Sequence, residues 1–434
     1  VLVLFTFVAV ASAFMNNTPL VAVMIPVVIQ IASRIGVAAS KMLIPLSYMT
    51  IMGGMLSLIG TWMERITLGW YAWDSTQSPF WTGLVTAAIL APAGLIGPFA
   101  AVYAERWSLR PAAMILNSTL AGLSLAMFAL VSFAAPPIWL VAALALAIGL
   151  VTALYHPVRL SMVARVLPRP LMAGGIGLHA ATFNLSRILG PALAGVLLAT
   201  LGIGPAFLAN AVSYLPFVLA IALIPLQPRA GRRPEGPVAL RRDLADGLRY
   251  LRHSPVLVWA IALAAVNGFV LRGAIENLPA VVGTVFGGDS TYLTLMTGLA
   301  GAGAVAASLL VARGRGGPLR LRRLIRLALP LGAVLVAVLG LSISPAVNLA
   351  AAVVAGFVAT LIGIGAQSVV QVGVEDGYRA RTVTWWSTTG FASLALSGML
   401  ASTLGEWIPM GHVLVAIGCL GLPVSIRLAL RAPA

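Results

Sequence analysis

The sequence predicts an all-α integral membrane protein, with twelve spanning helices in two halves of six and an extra N-terminal broken hydrophobic hairpin. Three observations predict it. Of the 434 residues 60% are hydrophobic and only 9% are charged, where a soluble domain carries about 25% charged residues. Apolar runs long enough to cross a hydrocarbon core of roughly 30 Å recur along most of the chain. The basic residues then fall in alternate connections between those runs.

That alternation decides what a net charge of +16 means. Arg106 and Arg110, then Arg159, Arg165 and Arg169, then the stretch from Arg229 to Arg252, then Arg313 to Arg326, then Arg379 and Arg381, and finally Arg427 and Arg431 mark one face. The connections at 74–78, 134–137, 202–204, 287–290, 342–345 and 405–409 hold neither Lys nor Arg. This is the positive-inside pattern; it places the basic face and the C-terminus in the cytoplasm, and it speaks for a lipid bilayer and against nucleic acid as the partner. Cys419, the one cysteine, cannot form an intramolecular disulfide and reads as a small buried hydrophobe. The opening VLVLFTFVAVASA has the apolar core of a signal peptide without a basic start, and reads as part of a helix.

Glycine and proline breaks, taken with the charge phase, place spans near 50–73, 80–104, 112–133, 137–156, 172–201, 204–226, 256–284, 290–312, 323–342, 345–371, 382–404 and 410–430. The stretch from Lys41 to Trp73, taken without a break, would measure about 50 Å at 1.5 Å per residue, too long for one span, so a break near Gly53 and Gly54 is expected. The longest polar interruption, QPRAGRRPEGPVALRRDLADGLRYLRHSP at 227–255, separates the halves. In it Leu240, Leu244, Leu248 and Leu251 repeat at helical spacing opposite Arg241, Arg242, Arg249 and Arg252; this suits an amphipathic helix on the cytoplasmic surface or a solvated linker helix. The domains are thus 1–48, a six-helix half at 49–226, the linker at 227–255 and a second half at 256–434.

Ionisable residues inside spans are costly and mark function. Glu64 and Arg65 lie in the first span, His179 and Arg187 in the fifth, Arg272 and Glu276 in the seventh. Arg272 and Glu276, at i and i+4, share a helix face and can pair, either as a static tie or as a titratable couple. A carboxylate that exchanges protons as its surroundings alternate needs desolvation and a nearby cation. Glu276 beside Arg272 meets that need, and so does Glu64 if its helix brings it to Arg187. His179 is a packed histidine or a proton carrier. Trp385 and Trp386 suit interfacial anchors, and Met63, Trp70 and Trp73 suit either core packing or a greasy cavity. The sequence contains no nucleophile triad, phosphate loop, metal cluster or cofactor motif, so neither an enzyme nor an ATP-driven pump is expected.

The runs GTWMERITLGW, HPVRLSMVARVLPRP, LGPALAG and VLRGAIENLPAVVG resemble major facilitator transporters, in the branch that exports siderophores and macrolides, over about residues 60–430. The resemblance implies a proton-driven exporter of a small-molecule substrate in the bacterial inner membrane, acting as a monomer. It maps a cytoplasmic loop motif onto Glu105, Arg106 and Arg110, where charge pairing can latch a gate, with Ala101 and Glu105 standing in for the usual glycine and aspartate. Gly190, Pro191 and Gly195 resemble the glycine–proline motif of antiporters, in which small residues let helices approach.

SAFMNNTPLVAVMIPVVIQ and the following residues to about 61 resemble instead sodium-coupled dicarboxylate and sulfate symporters. In those proteins Asn-Asn-Thr and a later Gly-Thr bind sodium and the anion; the matching positions here are Asn16, Asn17, Thr18, Gly60 and Thr61. Such a site needs a second, inverted half, which this chain lacks. Residues 1–48 therefore read as a fused appendage, and a sodium-coupled anion symporter or a non-transporting fusion product are the competing readings.

Overall fold

The computed structural model describes residues 39–104, 107–166, 172–223, 246, 248–312, 317–341, 344–372, 374 and 376–431. Among these the chain is helical, with no strand. The first half comprises α1 (Ala39–Thr76), α2 (Pro79–Ala104), α3 (Leu109–Phe133), α4 (Ile138–Val166), α5 (Met172–Thr200) and α6 (Ile203–Leu223). The second comprises α7 (Pro255–Val266), a π-helical segment (Asn267–Arg272), α8 (Gly273–Glu276), α9 (Leu278–Thr284), α10 (Ser290–Ala312), α11 (Gly317–Leu341), α12 (Pro345–Val372), α13 (Asp376–Leu404) and α14 (Met410–Leu430). By length and composition, nine helices among the described residues can cross a membrane.

In lipid, outward-facing side chains are apolar and the interior carries the polar groups. Leu95, Leu327, Leu420 and Leu430 are accordingly exposed, while Asn117, Ser124, Asn210 and Asn277 are fully buried. Cys419 lies on the outer face of α14 and is exposed. The expectation that it is buried fails because an apolar neighbourhood in a membrane helix is as readily lipid as core.

Two cores build the halves. Leu68, Ile148, Phe207 and Tyr214 anchor the first. Leu263, Leu293, Met296 and Ile325 anchor the second, which also takes in Met63, Ile66, Trp70 and Trp73 from α1. Met63, Trp70 and Trp73 therefore pack as core. The halves meet where α2 runs along α13 and α5 along α10.

The expected break at Gly53 and Gly54 does not occur: α1 runs unbroken for 38 residues. Glycine costs a helix only about 1 kcal/mol relative to alanine, and Gly54 sits against the ring of Phe217 on α6. At 1.5 Å per residue α1 is about 57 Å long, longer than the hydrocarbon core. The boundary placed between residues 48 and 49 thus falls within this helix, and the hairpin expected before it lies outside the described residues.

The seventh span is irregular: it runs helically from Pro255 to Glu276 through a π-helical segment and is interrupted at Asn277. Ser254 caps α7, accepting from the Leu257 N–H at 3.4 Å, and Pro255 follows. The π segment then widens the helix, with the Gly273 N–H bonded to the Gly268 carbonyl, before the interruption at Asn277. Side-chain hydrogen bonds tie this irregular segment to the neighbouring helices. The Ser397 hydroxyl donates to the Phe269 carbonyl, Asn267 Nδ2 donates to the Ala359 carbonyl at 3.1 Å, and Ser402 donates to Asn277 Oδ1 at 3.3 Å. Of the linker helix, Leu251 packs on Leu257 and Val374 with Trp385 beside them. Trp385, expected as an interfacial anchor, is partly buried against this cluster.

Candidate functional site

Adjacent residues on a helix point about 100° apart, and α1 uses this to send Glu64 and Arg65 to different places. Glu64 faces into its own half. It is 2% exposed, and its carboxylate accepts from the Ser124 hydroxyl of α3 at 2.6 Å. Asn210 of α6 in turn donates to Ser124 Oγ at 2.7 Å. The conditional pairing of Glu64 with Arg187 therefore does not form, because the two side chains leave their helices toward different neighbours.

Arg65 faces the other half. Its guanidinium lies 2.6 Å from the Glu276 carboxylate of α8 and 4.3 Å from the ring centroid of Trp62. Glu276 also pairs with Arg272 at 3.7 Å. The i, i+4 pair expected on one helix is thus the longer of two contacts, and the shorter one joins the halves. Both side chains are about nine-tenths buried, at 9% and 10% exposure.

Arg187 of α5 also crosses the seam, donating to the Thr360 hydroxyl of α12. Arg65, Arg187, Arg272 and Glu276 all line one cavity of about 80 Å³, together with Trp62 and Thr297. Drug-sized sites span about 300–1,000 Å³, so a large molecule would require the halves to part.

The antiporter-like motif lies beside this cavity. Pro191 lines it, and Gly190 packs so closely on α1 that a Cβ would strike Trp62 and the Ile59 carbonyl. A Cβ on Gly195 would strike Thr294 of α10 in the other half. Gly60 and Thr61 do not reach the cavity. A Cβ on Gly60 would strike Asn210 and Ser213, and the Thr61 hydroxyl donates to the Ser57 carbonyl at 2.8 Å and lies 3.2 Å from the Tyr214 hydroxyl. Both positions serve the packing of α1 on α6.

Asn16, Asn17, Thr18, Glu105 and Arg106 lie outside the described residues, and Arg110 is half-buried at the start of α3. His179 is on α5, about 12 Å along the helix from Arg187 toward its N-terminal end.

Sequence reasoning missed the contacts at the end opposite the basic connections. There Glu406, between α13 and α14, accepts from the Phe80 N–H at 2.8 Å and from the Ser78 hydroxyl. A carboxylate from one half thus caps the N-terminus of α2 in the other, where it also meets the positive end of the helix dipole. It also missed Thr360, Thr297 and the π segment. The one signal in the sequence was Asn267 and Asn277 inside an apolar run.

The family described as transmembrane secretion effectors matches residues 46–433. The staphyloferrin A transporter of Staphylococcus aureus (strain NCTC 8325 / PS 47) is 25% identical over 181 residues, 42% of this chain and 45% of that protein, so the match spans less than half of that relative. The MFS-type transporter YfiS of Bacillus subtilis (strain 168) is 23% identical over 388 residues, 86% of this chain and 89% of that protein. The probable sodium/sulfate cotransporter 3 of Chlamydomonas reinhardtii is 48% identical over only 62 residues, 14% of this chain and 7% of that protein. Among solved structures, a POT family transporter superposes with a TM-score of 0.68 at 13% identity, covering 89% of this chain and 95% of that one. A bacterial homolog of the human lysosomal transporter Spinster superposes with a TM-score of 0.57 at 14% identity, covering 89% and 94%. A helical fold with membrane-length apolar helices and a family model that spans nearly the whole chain agree: this multi-pass membrane protein belongs to the transmembrane secretion effector family of the major facilitator superfamily.

Proposed function

We propose that the chain expels small molecules of drug or siderophore type, driven by the proton gradient, by alternating access of its two halves. The observation that carries this reading is the ion pair between Arg65 and Glu276 across the cavity. A carboxylate that holds the halves together when ionised releases its partner when protonated, and so links proton movement to opening. Of the two interior carboxylates we assign coupling to Glu276, since Glu64 faces a hydroxyl and an amide within one half. The similarity to a staphyloferrin A transporter supports a siderophore-like substrate.

In this reading twelve spans are counted by adding α1, α5 and α13, whose interior polar and charged residues suit the seam. The basic connections put the C-terminus in the cytoplasm of a bacterial inner membrane. Glu105, Arg106 and Arg110 latch the cytoplasmic end, His179 is a secondary candidate in α5, and the protein works as a monomer. Residues 1–48 are an appendage that adds to the transport core only by leading into α1.

Everted membrane vesicles test this. With a proton gradient, vesicles carrying the protein should accumulate at least one member of a panel of siderophores and drugs, and a protonophore should abolish the uptake. Accumulation that follows a sodium gradient and ignores the protonophore would favour the symporter reading instead.

A further inference from the structure

The cavity holds more positive than negative charge. Arg65, Arg187 and Arg272 line it, with Glu276 as the one carboxylate among its lining residues. Guanidinium groups stay protonated in proteins, so these four side chains sum to +2. The chain has 11 acidic residues, and among the described ones no carboxylate besides Glu276 lines the cavity. Glu64 is tied to Ser124 within the first half. The other nine, Asp74, Glu105, Glu235, Asp243, Asp246, Asp289, Glu375, Asp376 and Glu406, sit in connections or at span ends.

We propose that this cavity is an anion site, in which a carboxylate of the transported molecule docks between Arg187 and Arg272. Uncompensated charge in a membrane interior is costly, and an anionic ligand removes that cost. Arg65 is held by Glu276 at 2.6 Å, whereas Arg187 meets only the neutral Thr360 hydroxyl among its described partners and Arg272 shares Glu276 at 3.7 Å. Two planar forks with unspent donors suit the geometry of a carboxylate. A cationic molecule would be repelled by the same excess. This deepens the transport reading and rests on it for the claim that the bound anion is cargo.

Titration calorimetry on the purified full-length chain tests it, with citrate as the probe and sulfate and tetraphenylphosphonium as comparators at matched ionic strength. Citrate should bind saturably at one site and more tightly than sulfate, and tetraphenylphosphonium should not bind there. Arg187→Gln and Arg272→Gln should each weaken citrate about tenfold or more, and Arg187→Lys, which keeps the charge and loses the fork, by less. Tighter binding of tetraphenylphosphonium than citrate, equal binding of sulfate, or no citrate heat would overturn the proposal. So would citrate affinity unchanged in both glutamine variants, or, if either misfolds, an Arg187→Lys affinity equal to wild type. Citrate binding without gradient-driven transport would refute the transport reading alone; gradient-driven transport of a cation without citrate binding would refute the anion site alone.

Discussion

Arg65 in α1 and Glu276 in α8 meet at 2.6 Å across the seam between the two halves, each about nine-tenths buried. Breaking a buried ion pair costs roughly 3–5 kcal/mol when it orphans a charge. Arg65→Gln should cost less, because Arg272 still faces Glu276 at 3.7 Å. It should nevertheless lower gradient-driven efflux about tenfold or more with normal protein levels in the membrane, since Arg65 is the partner that ties Glu276 to the opposite half. Wild-type efflux in Arg65→Gln would show that the cross-seam pair is only structural.

Glu64 gives the opposite expectation. Its carboxylate accepts from Ser124, which Asn210 supports, and an amide oxygen can accept the same bond. Glu64→Gln should therefore fold and keep efflux within about threefold of wild type, whereas Ser124→Ala, which strips a buried group of its donor, should cost about 1–3 kcal/mol of stability. Loss of coupling in Glu64→Gln would move the proton-carrying role to this residue.

Glu406 should act as a latch at the end opposite the basic connections, since it caps α2 from the other half through Phe80 and Ser78. Removing a cap costs roughly 1 kcal/mol, about fivefold in an opening equilibrium. In a Cys419→Ala background, Thr297→Cys reports on the cavity. Adding Glu406→Ala should raise its labelling rate by a membrane-impermeant maleimide severalfold from that side. An unchanged rate would mean that the cap does not hold this end shut.

The close approach of α5 to α10 makes Gly195 a sensitive position. A Cβ there meets the side chain of Thr294, and overpacking costs typically about 1–3 kcal/mol. Gly195→Ala should lower the melting temperature of the purified protein, and adding Thr294→Gly should restore part of it. If the second change only adds to the loss, the two positions are not in steric conflict.

The helical class and the interior charges were legible because charges stand out in apolar runs. Partners were less so. Glu64 and Arg65 are neighbours in sequence, and nothing in the sequence says which of two directions about 100° apart faces the seam. Propensity alone did not show that α1 would continue through two glycines, because contacts such as Gly54 on Phe217 come from another helix. The π segment was equally hidden, since the Ser397 hydroxyl that bonds its Phe269 carbonyl lies more than a hundred residues away in the chain.

Coupling through Glu276 is tested most directly by comparing wild type with Glu276→Gln in proteoliposomes under an imposed pH gradient, following transport of a molecule the wild type moves. Glu276→Gln keeps the shape of the side chain and removes the charge that Arg65 holds. Wild-type transport should follow the gradient, and the variant, present at equal amount and with an unchanged melting temperature, should show none. Gradient-driven transport at the wild-type rate in Glu276→Gln would mean that this carboxylate does not couple proton movement to transport.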